Sequence, residues 1–365
     1  MNLMHDGDMT TALMEWYARA RRDLPWRRTH DPYAIWVSET MLQQTRVDTA
    51  IPYFLRFMER FPHIRSLAHA HEDDVLALWA GLGYYARARA LHRAAQYVSA
   101  QHQGVVPADY AQFAALPGVG AYTAGAVMSI AYGLPYAAID ANVLRVCARI
   151  HAIEDDITRT KTKQRIAQLQ LALLPPHDAG TFNQAMMELG ALICTARSPQ
   201  CGACPVRSYC RAHAHGRTGD IPYKKAKKNP RSERRCAIVC IREDDGRILM
   251  RQRGASGLLL RMWELPHVSL EHEEEPMPWS IDGAINPQWQ AHVGIARLTH
   301  GTALAMFVHR FTHRIWQMDV VVRHAVVHRD APSPYAWVDE QQRASIAVAA
   351  LFDRIVASVR TDHRV

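Results

Sequence analysis

Two carboxyl groups and four thiols are the side chains of this chain whose surroundings suggest chemistry. Glu39 stands in WVSETMLQQTRV, Trp36 to Val47, among Trp36, Val37, Met41 and Leu42. Apolar neighbours that bury a carboxyl group disfavour its charged form and raise its pKa. A carboxyl kept protonated near neutral pH can serve as a general acid, although a glutamate read alone is as well explained by an ordinary helix surface. Asp140, in AAIDANVLRV, follows an apolar run and precedes a helical pattern, which is the place of an N-cap. Backbone N–H donors and the positive end of a helix dipole should keep that carboxylate ionised. Two carboxyl groups whose pKa values are pushed apart suit cleavage of a glycosidic bond. One protonates the leaving group, and the other stabilises an oxocarbenium-like sugar, electrostatically or covalently.

Four of the seven cysteines fall in CTARSPQCGACPVRSYC, spaced Cys194-x6-Cys201-x2-Cys204-x5-Cys210. Thiolates this close can surround one metal centre, and the C-x2-C element occurs in zinc and iron–sulfur sites alike. Ligand type alone leaves both metals open. Arg197, Arg207 and Arg211 lie in or beside the loop. Pinning such a basic loop in one shape lowers the entropy lost when it grips phosphates, so the expected role of the metal centre is structural. A third stretch, LPGVGAYTAG from Leu116 to Gly125, sets Gly118 and Gly120 around one apolar residue. That permits a tight turn between helices with backbone N–H groups facing an oxyanion, though Gly-x-Gly by itself is usually just a turn.

The elements that must position these groups divide in two. From about residue 9 to 215 the chain reads as helices separated by short Gly/Pro/Asp breaks, with helical periodicity over 34–57 and 72–98, the latter interrupted at GLGYY. IPYKKAKKNPRSERR, Ile221 to Arg235, is basic, proline-bounded and apolar-poor, and reads as an exposed linker. Beyond it CAIVCIR and RILMRQR flank an Asp-Gly turn, a hairpin signal. Strand-like runs follow at Ala303–Val308 and Ile315–Val322, with a closing helix near Gln341–Val356. The expected organisation is an all-α unit over 1–220, a linker over 221–235 and a smaller α+β unit over 236–365.

Composition narrows the class. Hydrophobic residues at 48% and charged residues at 21% describe a globular protein. Forty-three Lys+Arg against 35 Asp+Glu, a formal charge of +8, point to a polyanionic partner, most simply nucleic acid. No apolar run reaches membrane-span length. The N-terminal residues show neither a basic start nor an apolar h-region, so a cytoplasmic location is expected, on the nucleoid in a bacterium, where clustered thiols bind metal in preference to forming disulfides.

WVSETMLQQTRV, GLGYYARAR, LPGVGAYTAG, the Asp140 segment and the cysteine loop, in that order, resemble the adenine DNA glycosylases of the MutY type. These belong to the helix-hairpin-helix superfamily that includes endonuclease III. The likeness covers nearly the whole chain and is densest from Leu24 to Cys210. It implies one [4Fe–4S] cluster held by Cys194, Cys201, Cys204 and Cys210, no catalytic metal, and a hairpin that holds a DNA phosphate at Gly118 and Gly120. It implies that Glu39 protonates N7 of a flipped adenine while Asp140 steadies the cation at C1′; flipping is needed because a stacked base is inaccessible. Bifunctional members of the superfamily carry a lysine nucleophile two residues beyond the second glycine; this chain has Tyr122 there, so hydrolysis by water is expected, without imine-driven strand cleavage. Trp26, Arg27, Val47 and Gln184 match positions around the adenine pocket. Leu42, Gln43, Gln44 and Tyr84 match the elements that enter the stack beside the orphaned base, an uncharged wedge. The family commonly has glycine after the catalytic aspartate, where this chain has Ala141.

The C-terminal region resembles the MutT-like domain of such glycosylases. After Gly257 the acids of GLLLRMWELPHVSLEHEEEPM lack the spacing of a Nudix metal site, and the patch from Glu271 to Glu275 reads as a solvated loop. The domain should therefore bind and not hydrolyse. Phe311, Thr312 and His313 fit the family's Phe-Ser-His loop for 8-oxoguanine, with a threonine hydroxyl in place of serine. The resemblance thus implies a monomer acting on double-stranded DNA that contains A:8-oxoguanine or A:G. Its rivals are a thymine or pyrimidine mismatch glycosylase and a non-catalytic iron–sulfur DNA-binding protein.

Overall fold

The computed structural model describes residues 6–225, 229–254, 256–271, 279, 285–299 and 301–362. The chain divides into two compact units, Met1–Ala70 with Ala86–Lys227, and His71–Tyr85 with Lys228–Val365. The helix Glu72–Trp79 and the GLGYY turn therefore group with the C-terminal half.

The first unit is helical. Apolar residues recur at one-turn spacing: Met9, Leu13 and Tyr17 in helix Asp6–Ala20; Val143, Val146, Cys147 and Ile150 in Ala141–Ile150; Phe182, Ala185, Met186 and Leu189 in Ala179–Leu192. These three stripes meet in one core. Each fully buried large apolar side chain contributes roughly 1.5–3 kcal/mol. Gly190 permits the close approach: a Cβ there would lie 2.6 Å from Cβ of Asn142. That contact sets the start of the Ala141–Ile150 helix, and so Asp140, against its neighbour.

The periodicity over 34–57 resolves into two helices, Pro32–Leu42 and Val47–Arg60. Between them Gln44 takes φ +61°, a left-handed conformation no helix continues through. The first helix has no C-terminal glycine; its terminal carbonyls, those of Thr40 and Met41, and the following Gln43 carbonyl accept from the guanidinium of Arg87 at 2.5–3.1 Å.

Among the described residues the second unit is built on a mixed sheet of eight strands: β1 (Arg231–Arg242), β2 (Ile248–Gln252), β3 (Trp263–Glu264), β4 (His267–Ser269), β5 (Ile295–Leu298), β6 (Thr302–Arg310), β7 (Arg314–Val327) and β8 (Tyr335–Val338). The path runs β3-β2-β1-β7-β5, with β4 on β1, β6 on β7 and β8 on β2. The β1–β2 hairpin forms at the Asp-Gly turn as expected. Alternate residues Cys236, Ile238 and Cys240 face a core with Trp279, Trp289 and Trp337.

Two boundaries differ from expectation. The last five residues of the expected linker, Arg231–Arg235, are strand, paired in parallel with β7 from Arg231↔Arg314 onward. Partners that composition does not reveal hold them: Asp319 pairs with Arg234 at 2.9 Å, and Arg235 stacks over Trp316. Lys227 and Lys228 of that linker lie outside the described residues. The closing helix is two, Glu340–Ser345 and Ala350–Asp362, separated at 346–349. Of the acidic patch, Glu271 is described and pairs with Arg231; Glu273, Glu274 and Glu275 lie outside the described residues.

Candidate active site

Ten of the expected site residues line one cavity of about 870 Å³ in the first unit: Trp26, Arg27, Glu39, Leu42, Gln43, Gln44, Val47, Tyr122, Asp140 and Gln184. Glu39 projects from the Pro32–Leu42 helix and is 5% exposed. Burial is the chief cause that pushes its pKa up, to about 7; the nearby Asp140 charge adds to this, while the Tyr122 hydrogen bond and Arg27 oppose it. The Tyr122 hydroxyl donates to Oε2 of Glu39. Burial, with Glu39 beside it, holds the phenol well above its usual range, so it stays a donor.

Asp140 caps its helix as expected: Oδ1 accepts from Val143 N at 2.7 Å and Oδ2 from Asn142 Nδ2 at 2.8 Å. The cap's hydrogen bonds pull its pKa down, towards the ionised form, but they do not act alone. Burial outweighs the N–H donors of Val143 and Asn142, and the net shift is upward. Ala141 is accommodated as the first helical residue on the cavity wall.

Three residues that the sequence does not single out, Glu188, Arg22 and Tyr17, complete the site. Glu188, 1% exposed, accepts from Arg22 N and from the guanidinium groups of Arg22 and Arg27 at 2.7–3.1 Å. Burial alone would raise its pKa, but the two arginines reverse that and hold it at about 2. Tyr17 lies 5.4 Å under the Arg27 guanidinium and donates to Oε1 of Gln184 at 3.2 Å. The Gln184 amide is thereby turned with Nε2 as its donor, which also reaches the Gly180 carbonyl at 3.4 Å. Tyr17→Phe is expected to release that orientation and lower discrimination between purines severalfold, measured as the ratio of base-release rates on two substrates. The sequence signal for Glu188 was faint: an acid two residues after the alanine-methionine pair Ala185-Met186.

The hairpin residues stand apart from the cavity. Gly118 has φ +77°, and a Cβ there would collide with Cβ of Ala90. Gly120 caps helix Ala121–Ile130 with no side-chain hydrogen bond, and a Cβ there would meet nothing within 4 Å. The first-turn N–H groups of that ten-residue helix have no intrahelical partners, and a helix N-terminus of this kind can receive a phosphate. Gly118→Ala should destabilise the protein by ~1–3 kcal/mol in a thermal melt. Gly120→Ala should leave the melt within about 1 kcal/mol and weaken DNA binding instead.

In the second unit, the hydroxyls of Tyr84 and Thr312 lie 3.1 Å apart, and Tyr84 takes φ +51°. Phe311 packs edge-on to His309 and Trp316, and the His313 carbonyl accepts from Arg231 N. Two of these expected recognition residues, Thr312 and His313, are exposed.

Cys194, Cys201, Cys204 and Cys210 are free thiols that line one small cavity with Arg149, Arg207 and His213. Among the described residues no three Cys, His, Asp or Glu side chains form a group ready to hold a single ion. Four thiols on the wall of a shared cavity fit a larger, multi-iron core. Arg197, Arg207 and Arg211 are exposed around it.

Comparison with known proteins agrees with this architecture. Residues 37–170 match the HhH-GPD superfamily of base excision DNA repair proteins, 194–210 the iron-sulfur binding domain of endonuclease III, and 237–358 the NUDIX domain. A solved thermostable thymine-DNA glycosylase is 27% identical, with a TM-score of 0.53, over 57% of this chain and 97% of its own. Helical hairpin, cavity and cysteine loop together define a base-excision DNA glycosylase carrying a [4Fe–4S] cluster. The adenine DNA glycosylase of Mus musculus is 34% identical over 96% of this chain and 78% of its own length, and that of Buchnera aphidicola subsp. Acyrthosiphon pisum 31% over 85% of each. The chain belongs to the adenine DNA glycosylase family.

Proposed function

We propose that this chain flips adenine out of a mispair with 8-oxoguanine or guanine and hydrolyses its N-glycosidic bond in base excision repair. The observation that carries the reading is a buried Glu39, its pKa pushed to about 7, sharing one cavity with Asp140. Glu39 gives its proton to N7. The C1′–N9 bond breaks with its electron pair going to adenine, and the cationic sugar forms beside the Asp140 carboxylate. Water then adds to C1′ and its proton returns to Glu39, leaving an abasic site. Tyr122, a phenol that keeps its proton, offers no amine for an imine. Trp26, Arg27, Val47 and Gln184 shape the purine pocket; Leu42, Gln43 and Gln44 fill the vacated stack. Tyr84, Phe311, Thr312 and His313 read the opposite base, with the paired Tyr84 and Thr312 hydroxyls supporting that reading. Gly118, Gly120 and the arginines of the cysteine loop hold phosphates. The protein would act as a monomer, in the cytoplasm.

The test is base release from A:8-oxoguanine, A:G and T:G duplexes, with and without alkali. Adenine should leave the first two, and strands should break only after alkali. Thymine release from T:G with adenine retained would overturn the substrate; breaks without alkali would overturn the place given to Tyr122.

A further inference from the structure

Arg149 is 1% exposed, and among the described residues no carboxylate pairs with it. Its guanidinium is spent on the cysteine loop and on the end of the first unit. Nε donates to the Ile221 carbonyl at 2.8 Å, one terminal nitrogen to the carbonyls of Thr195 at 2.6 Å and Cys194 at 3.4 Å, and the other to the Ala196 carbonyl at 3.1 Å. The nitrogen that reaches Thr195 also lies 3.3 Å from Sγ of Cys194. Carbonyl dipoles satisfy the donors but supply no opposite charge, and a buried cation left without one is costly. Sγ of Cys194 is a thiol here; with the cluster bound it stands for a thiolate, and the core with its four thiolates carries net negative charge. The counter-charge that Arg149 lacks is thus supplied by the cluster.

We propose that Arg149 is the built-in counter-cation of the iron–sulfur cluster, donating a charge-assisted N–H···S bond to the Cys194 thiolate. A cation held at a ligand sulfur stabilises the more negative, reduced states, so it raises the cluster's reduction potential and makes oxidative loss of iron harder. The inference rests on the loop's cluster and holds whichever base the enzyme removes.

The experiment compares wild-type holoprotein with Arg149→Met and Arg149→Lys by voltammetry, by iron content, and by bleaching of the visible absorbance under ferricyanide. Arg149→Met should lower the midpoint potential and bleach roughly tenfold faster or more. Arg149→Lys, which keeps the charge but loses the fork, should fall between. A retained cluster with unchanged potential in both variants would overturn the proposal, since that is what loss of a merely structural clamp produces. Should Arg149→Met not accumulate with its cluster, Arg149→Lys gives the same reading. Wild-type protein grown on isotopically labelled arginine should then show hyperfine coupling from a guanidinium nitrogen to the oxidised cluster, and absence of that coupling would equally sink the idea.

Discussion

Glu39→Gln is expected to slow adenine release by about a hundred- to ten-thousand-fold while duplex binding survives. The amide has nearly the shape of the acid and can still accept from Tyr122, so the pocket should stay assembled. What it cannot do is transfer a proton to the leaving purine. Single-turnover rates and a binding titration on the same A:8-oxoguanine duplex separate the two effects. Equal loss of both would mean that Glu39 holds structure; no loss of either would remove it from the reaction.

The same residue makes both the rate and the stability fall as pH rises. Only protonated Glu39 can act as the acid, so the base-release rate should fall about tenfold per pH unit above a limb near 7. The Tyr122 hydrogen bond lowers that pKa, so in Tyr122→Phe the limb should move to higher pH. Folding loses stability in the same direction. A carboxyl raised from 4.5 to about 7 adds nothing unfavourable below the lower value, and its buried charge destabilises the fold progressively as pH rises through the upper one. The full effect is about 3 kcal/mol. At pH 8 Glu39→Gln should therefore melt higher than wild type, with the gap shrinking towards pH 5. Identical melts at both pH values would show that Glu39 is not held protonated.

How much of this was legible beforehand depended on whether a feature is local in sequence. The Asp140 cap was readable because an N-cap is a short-range arrangement, an aspartate ahead of a helical pattern, and Val143 N does bond its Oδ1. Its pKa direction was not, because burial depends on what packs over the cap. The cysteine spacing was readable for the same local reason. Arg87, Arg149 and Glu188 were not: their partners lie 42 to 47, 45 to 72 and 161 to 166 positions away, and nothing near them in the chain marks the pairing. The two-helix break at Gln44 was missed because apolar spacing continues across it, and a non-glycine residue takes the left-handed turn. The Arg231–Arg235 strand was missed because its hydrogen bonds come from β7, more than eighty residues on.

The long-range pairing with the largest expected effect is that of Glu188. Its side chain is 1% exposed, Arg27 is 13% and Arg22 34% exposed, and five hydrogen bonds converge on the two carboxylate oxygens. Removing one member of such a group strands the others, and Arg27 is the one that water reaches least. With Glu188 held at about 2 against an ordinary 4.5, its pairing contributes about 3 kcal/mol. Because the folded value is depressed, that contribution is complete above pH 4.5 and disappears as pH falls through about 2. Glu188→Ala should thus lower the melting temperature by roughly 6–12 °C at neutral pH, and much less in strong acid. The site should suffer beyond the fold: Arg27 lines the cavity and stacks on Tyr17, which orients Gln184, so release of Arg27 loosens two lining residues of the purine pocket, Arg27 itself and Gln184. At a temperature where the variant remains folded, adenine release should still fall more than duplex binding. A melt within about 2 °C of wild type at pH 7 would show that the arginines find water or another acid instead, and that the pocket's rigidity comes from elsewhere.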